Sequence, residues 1–298
     1  MNMKAEKTLF IASPHGVCGG VKQAIETVEQ VLREDSSPVW VLHELVHNDR
    51  MTAELVRRGV RFTEDLAEVP NGSRLIFGAH GVSSGIEKMA AEKHLQTVDA
   101  TCPLVRKLHS AAETAVKNGE KIIFFGHKTH PEAIGVIGRV PPESIFIVES
   151  VCAIASLPDL GGFPCRMFSQ TTMKTDEIDK VFAAAKMRFP QIQLGTGACY
   201  ATVLRQNAVR KLAEKVKFIL ILGAHHSSNT KRLEEIAVGC GAEAVLIDCA
   251  DAMPAEKIRQ LDAVGISSGA SAPESLFCEC VRKLEEIGFT SQFTVSGE

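Results

Sequence analysis

The feature that most constrains the fold is an alternation. Short, continuous apolar runs of strand length recur along the 298 residues, and amphipathic stretches of helical length fall between them. The runs are TLFIA (8–12), PVWVL (38–42), RLIFG (74–78), KIIFFG (121–126), SIFIV (144–148), MFSQ (167–170), KFILIL (217–222), EAVLI (243–247) and AVGIS (263–267). A strand wetted on one face alternates polar and apolar residues, whereas an uninterrupted apolar run suits a parallel sheet covered on both faces. The intervening stretches predict helices over 20–33, 49–58, 85–93, 103–117, 174–188, 200–215, 229–239 and 272–287. Strand and helix in turn read as βαβ units. The expected class is α/β with mainly parallel sheets.

Composition narrows the function. A net charge of −3 gives no field calling for nucleic acid or an anionic membrane, and 5% aromatics is poor material for stacking bases. No apolar run reaches the length of a membrane span, and the N-terminal residues lack the apolar core of a secretion signal. A cytoplasmic chain is expected, with no membrane partner and with its nine cysteines as reduced thiols or metal ligands.

One string invites a specific reading. HELVH (43–47) fits H-E-x-x-H, in which two histidines one helical turn apart hold zinc. It directly follows PVWVL, whose Val-Trp-Val core favours a strand. The string is therefore expected at a strand end, outside any helix, which disfavours the alternative of a zinc hydrolase. Loops at strand ends of α/β sheets do bind ligands, which keeps His43 and His47 in view.

Three cysteines share a setting. Cys18, Cys102 and Cys199 each follow an extended or Gly-rich stretch and stand just before an amphipathic helix. A helix N-terminus favours the thiolate, the metal-binding form. Their near-equal spacing divides the chain into three α/β units, 1–102, 103–199 and 200–298. Each unit ends two strands in small polar residues: HELVHN and GAHGVS, then GHKTHPE and SQTT, then GAHHSSN and SSGAS. Three thiolates without an obvious fourth partner suggest a cubane iron–sulfur cluster with one iron lacking a protein ligand. Histidines, hydroxyls and amides at helix starts can hold a phosphate without a P-loop, and the chain contains no G-x-x-x-x-G-K-[ST].

These residues resemble a known family. P-x-G-x-C-x-G-V (Pro14 to Val21), H-E-x-V-H-N (His43 to Asn48), AHGVS, DATCPLV, G-H-x-x-H-P-E, SQTT, C-Y-A-T, SSN-T-x-R-L and GASAPE occur in the order of the IspH/LytB family of 4-hydroxy-3-methylbut-2-enyl diphosphate reductases. The resemblance implies a trefoil-like arrangement of three pseudo-equivalent α/β units around an oxygen-sensitive [4Fe–4S] cluster, for which a three-iron [3Fe–4S] form is the expected product if air removes iron. It implies reductive removal of an allylic hydroxyl, by two electrons and two protons, to give isopentenyl and dimethylallyl diphosphate in the non-mevalonate (MEP) pathway. The cluster's open iron would bind that hydroxyl. The partners implied are the allylic diphosphate substrate and an external electron donor such as ferredoxin or flavodoxin.

By motif position, Cys18, Cys102 and Cys199 are the implied cluster ligands. His47, His80, His130, Ser227, Ser228, Asn229 and Ser271 are the implied diphosphate site. Glu132 is the implied proton donor and Thr171 its partner. The chain departs from the family pattern at His15, Val17, Gly19, Ala133, Ile134, Val203, Leu204, His225 and His226, which flank the implied ligands and leave them intact. These changes bear on substrate preference, product ratio and donor docking, so a paralogue acting on a related allylic diphosphate is the alternative. The remaining cysteines (152, 165, 240, 249, 278 and 280) are expected to be structural, and His43, His94 and His109 structural or exposed. His127 stands between these classes. Arg205 and Arg232 are expected to pair with carboxylates on their own helices.

Overall fold

A computed structural model describes residues 7–34 and 37–298. In chain order the strands are β1 (Lys7–Ser13), β2 (Val39–Leu42), β3 (Val60–Thr63), β4 (Arg74–Phe77), β5 (Gln96–Asp99), β6 (Lys121–Phe125), β7 (Ile145–Val148), β8 (Cys165–Ser169), β9 (Gln193–Leu194), β10 (Phe218–Leu222), β11 (Glu243–Ile247), β12 (Ala263–Ser268) and β13 (Phe289–Ser296). The helices are α1 (Gly19–Glu34), α2 (Asp49–Arg57), α3 (Ser84–Glu92), α4 (Pro103–Lys117), α5 (Pro131–Ile137), α6 (Thr175–Arg188), α7 (Tyr200–Lys215), α8 (Ser228–Gly239), α9 (Ala255–Ile258) and α10 (Glu274–Glu286).

The strands form three sheets, ordered β3-β2-β4-β5, β7-β6-β8-β9 and β11-β10-β12-β1-β13, and every pairing is parallel. One order repeats. In each sheet the second strand lies outside the first, and a third and fourth follow on the other side. In the third sheet the fourth place is taken by β1, with Thr8 beside Ala263 and Ile11 beside Ile266, and β13 adds beyond it.

The chain gathers into two compact units. One contains the residues up to Cys18, His47–Met51 and Tyr200–Glu298; the other contains Gly19–Val46 and Thr52–Cys199. In the first, β10 (FILIL) is buried along its whole length. Leu220 and Leu222 pack with Phe277 and Leu284 of α10, while Ile219 and Ile221 pack with Leu212 of α7 and Leu233 of α8. Successive side chains of a strand point to opposite faces, so helices on both faces require the unbroken apolar run. Each such fully buried side chain contributes about 1.5–3 kcal/mol. In the second unit β6 repeats the device. Ile122 and Phe124 meet Leu108 of α4 and Val136 of α5, and Ile123 and Phe125 meet Val181 of α6.

The sequence pattern missed β3, β5, β9 and β13. All four are sheet edges, and stretches such as QTVD carry few apolar residues. An edge strand has less surface to cover, so an unbroken apolar run is not needed. The short helices α5 and α9 also escaped. HELVH forms bends between β2 and α2 rather than a helix, and His43 has φ 59°. The helical face that a zinc hydrolase needs is absent. No helix among the described residues is long and apolar enough to cross a membrane.

Candidate active site

Cys18, Cys102 and Cys199 each stand at the start of a helix: before α1, at the N-cap of α4, and before α7. Each is fixed by a backbone bond of the same kind. The Cys18 N–H donates to Ala270 O (2.9 Å), the Cys102 N–H to Ala79 O (3.0 Å) and the Cys199 N–H to Thr171 O (3.0 Å). Each acceptor lies in the loop leaving the third strand of its sheet: β12, β4 or β8. The repeated strand order therefore presents each cysteine in the same local setting. All three are partly exposed, and none is in a disulfide. Gly20 shapes the space at one of them, since a Cβ there would come within 2.4 Å of Cys102 Sγ. Three thiols in equivalent settings, one with a glycine at its sulfur, fit the ligand set of an iron–sulfur cluster.

In the second unit, Glu132 lies in the first turn of α5 and is 1% exposed. The Thr171 N–H donates to Oε1 and the Thr171 hydroxyl to Oε2, both at 2.7 Å. Burial pushes the carboxyl up to about 7, against the opposing pull of the two Thr171 bonds. His130 caps α5, its Nδ1 accepting from the Glu132 N–H at 3.2 Å. The His80 and His130 rings meet edge to face, 5.5 Å between centroids. Acid, hydroxyl and two imidazoles are thus held by α5 and by the loops after β4 and β8.

In the first unit, Ser227 caps α8, its Oγ accepting from the Thr230 N–H at 3.4 Å. Ser228 and Asn229 open the helix. Asn229 is buried, and neither polar atom of its side-chain amide has a hydrogen-bond partner among the described residues. A buried amide with open polar atoms at a helix N-terminus suits an anion. Nearby in the same unit, Ser271 Oγ donates to His47 O (2.9 Å) and Asn48 Nδ2 donates to Ser271 O (2.7 Å), which ties the β12 loop to the His47 turn. The His47 ring meets His226 edge to face at 5.5 Å.

The structure thus joins Glu132 to Thr171, His80 to His130, and His47 to Ser271. It leaves His43 bonded to Glu64 at 2.6 Å, His94 exposed, and His127 half-exposed with Nδ1 3.9 Å from Glu149. Two expectations need correction. Among the six remaining cysteines only Cys165 and Cys280 are buried; Cys152, Cys240, Cys249 and Cys278 are exposed and carry no core packing. Arg232 does pair within its helix, with Glu235 at 2.7 Å. Arg205 instead is buried and donates to the carbonyls of Ala201 (3.1 Å) and Gly16 (2.8 Å), clamping the turn before Cys18. The same turn is held by the Gly16 N–H on Ser268 Oγ (2.7 Å) and by His15 stacked on Phe277 at 3.9 Å. In sequence Arg205 reads as an ordinary helix cation, and only its burial reveals the clamp.

The family model for "LytB protein" matches residues 9–285. A 4-hydroxy-3-methylbut-2-enyl diphosphate reductase of Neisseria meningitidis serogroup C is 40% identical over 284 residues, 95% of this chain and 88% of that one. The protein of the same name from Haemophilus ducreyi is 40% identical over 293 residues, covering 97% and 93%. The solved structure of the E-1-hydroxy-2-methyl-but-2-enyl-4-diphosphate reductase of Plasmodium falciparum superposes with a TM-score of 0.93 at 34% identity, covering 97% of this chain and 92% of that one. A second solved structure, described as the terminal enzyme of the non-mevalonate pathway, gives 0.69 at 29% identity, covering 94% and 99%. This chain belongs to the LytB family.

Proposed function

We propose that this chain catalyses reductive dehydroxylation of (E)-4-hydroxy-3-methylbut-2-enyl diphosphate, yielding isopentenyl and dimethylallyl diphosphate in the non-mevalonate pathway. Two electrons and two protons enter, and water leaves. The observation that carries the reading is the linkage through Thr171. Its N–H and hydroxyl bind the buried Glu132 carboxyl, and its carbonyl holds the N–H of Cys199. One residue therefore joins a proton source to a cysteine we assign as a cluster ligand.

Cys18, Cys102 and Cys199 would hold a [4Fe–4S] cluster, which when bound supplies electrons and a Lewis-acidic iron. On the three-unit division 1–102, 103–199 and 200–298, Cys102 and Cys199 close the first two units and Cys18 lies near the start of the first, while each of the three bonds a loop of a different sheet. The rest of the mechanism belongs to side chains. At about 7, Glu132 is substantially protonated near neutral pH; in that form Oε2–H donates to the Thr171 hydroxyl 2.7 Å away, whose own hydrogen turns to the departing oxygen. Asn229 Nδ2 and the first N–H groups of α8 suit phosphate oxygens, with Ser227, Ser228, Ser271, His47, His80 and His130 completing the assigned diphosphate site. Anchoring the diphosphate fixes the allyl group and removes much of the entropic cost of reaching the transition state. The electrons come from an external carrier, such as a ferredoxin or flavodoxin, and we place the chain in the cytoplasm.

The test is anaerobic purification with iron and sulfide analysis, followed by turnover of the allylic diphosphate with a reduced viologen dye. We expect about four irons and four sulfides per chain, both diphosphate products, and loss of the cluster in Cys102→Ser. Zinc without sulfide, persisting after attempted reconstitution, would contradict the assignment.

A further inference from the structure

We infer that His109 is a positioning residue for the proton-donating site, an imidazole wedged between the turn that carries His80 and the helix that carries His130 and Glu132. The inference rests on Glu132 being the proton donor. His109 lies on α4, two turns beyond Cys102, and is 3% exposed. Its Nε2 is buried and has no hydrogen-bond partner among the described residues. Burial, reinforced by Arg139 and opposed by Asp99, pushes the imidazole down to about 4, which leaves it uncharged under working conditions.

Two glycines make its seat. At Gly81, in the turn directly after His80, a Cβ would meet His109 Cε1 at 2.7 Å and Thr101 Cγ2 at 3.0 Å. At Gly135, one turn beyond Glu132 in α5, a Cβ would meet His109 Nε2 at 3.1 Å, Cε1 at 3.3 Å and the His80 carbonyl at 3.6 Å. Glycine inside a helix costs about 0.5–1 kcal/mol relative to alanine. Gly135 shows no left-handed backbone to require it; the close approach of the ring does. Helix α4 therefore grips the His80 loop twice. The Cys102 N–H holds Ala79 O on one side of His80, and the His109 ring seats Gly81 on the other. The far edge of the same ring sets how closely α5 approaches. Displacing α5 by a few tenths of an ångström moves Glu132 relative to the Thr171 hydroxyl, and displacements of about 1 Å cost on the order of a hundredfold in rate.

A double-mutant cycle tests this on the reconstituted enzyme, with iron content and thermal midpoint measured for every variant. Gly135→Ala should lower kcat/KM about tenfold. In the His109→Asn background, where the ring edge is gone, the same change should cost less than twofold in kcat/KM, and part of its loss in thermal midpoint should be recovered as well. His109→Gln serves the same cycle if His109→Asn does not fold. Additive losses in kcat/KM, or His109 variants that lower the thermal midpoint with kcat and KM unchanged, would overturn the inference and leave His109 as core packing. Glu132→Gln run alongside separates the two levels. Retained turnover there removes the proton-donor reading itself, whereas an inactive Glu132→Gln with an additive cycle removes only the role of His109.

Discussion

The start of α8 and the start of α5 are both polar, capped and buried, yet they are finished differently. At α8 the Asn229 amide is sealed from solvent with neither end bonded. At α5 both oxygens of Glu132 are bonded by Thr171. An unsatisfied buried polar group costs about 1–3 kcal/mol, so a ligand that bonds the Asn229 amide would be favoured at α8. The Glu132 carboxyl lacks nothing in hydrogen bonds; burial penalises only its charge. One region thus offers unbonded polar atoms that suit an anion, while at the other burial favours the protonated carboxyl against the opposing pull of the Thr171 bonds.

The strongest way to break the contrast is Glu132→Gln. The amide keeps the shape and removes the transferable proton. Turnover should fall by about 10²–10⁴-fold while substrate affinity and iron content stay near wild type. A variant that lost affinity instead would make α5 a binding element like α8.

The pH dependence of stability comes next. The folded-state value of Glu132 is raised to about 7 from an ordinary 4.5. Its contribution to stability is thus fully present below about 4.5 and is lost as pH rises through about 7. Wild type should lose on the order of 3 kcal/mol relative to Glu132→Gln across that window, read by denaturant unfolding. His109 runs the opposite way: its lowered value gives stability that is present above 6.5 and is lost as pH falls through about 4. It is common to both proteins and cancels in the comparison.

Asn229→Ala should raise KM about tenfold to a hundredfold with kcat little changed, since hydrogen bonds to a charged group contribute about 1.5–3 kcal/mol. An effect confined to kcat would contradict the anion role of α8. Thr171→Val is the gentlest of these changes. It removes one of the bonds that hold Glu132 down, so the alkaline fall in activity should move to higher pH, with a water relaying the proton in place of the hydroxyl and turnover reduced about threefold to tenfold. An unmoved or lowered limb would show that the hydroxyl does not act on Glu132.

The central strands were legible because burial on both faces forces unbroken apolar runs such as FILIL and KIIFF. The edge strands β3, β5, β9 and β13 were not, because that constraint relaxes at an edge. Cys18, Cys102 and Cys199 could be picked out because each precedes a periodic helix, though the shared backbone bond to a strand-end loop has no sequence signature. Glu132 was marked only by family resemblance. Its helix, PEAIGVI, is too short and glycine-broken to give a periodic signal, and its partner Thr171 lies 39 residues away. Arg205 and His109 looked like ordinary helix residues. Their roles depend on the Gly16 carbonyl and on Gly81 and Gly135, contacts that only the folded chain creates.

The most direct test of the account is a carboxyl titration of the anaerobically purified enzyme labelled with ¹³C at glutamate, with Glu132→Gln used to assign the resonance. The account predicts one carboxyl, missing from the variant, that titrates near 7. Titration of that resonance in the ordinary range near 4.5 would mean that Glu132 is ionised at working pH and cannot be the stored proton.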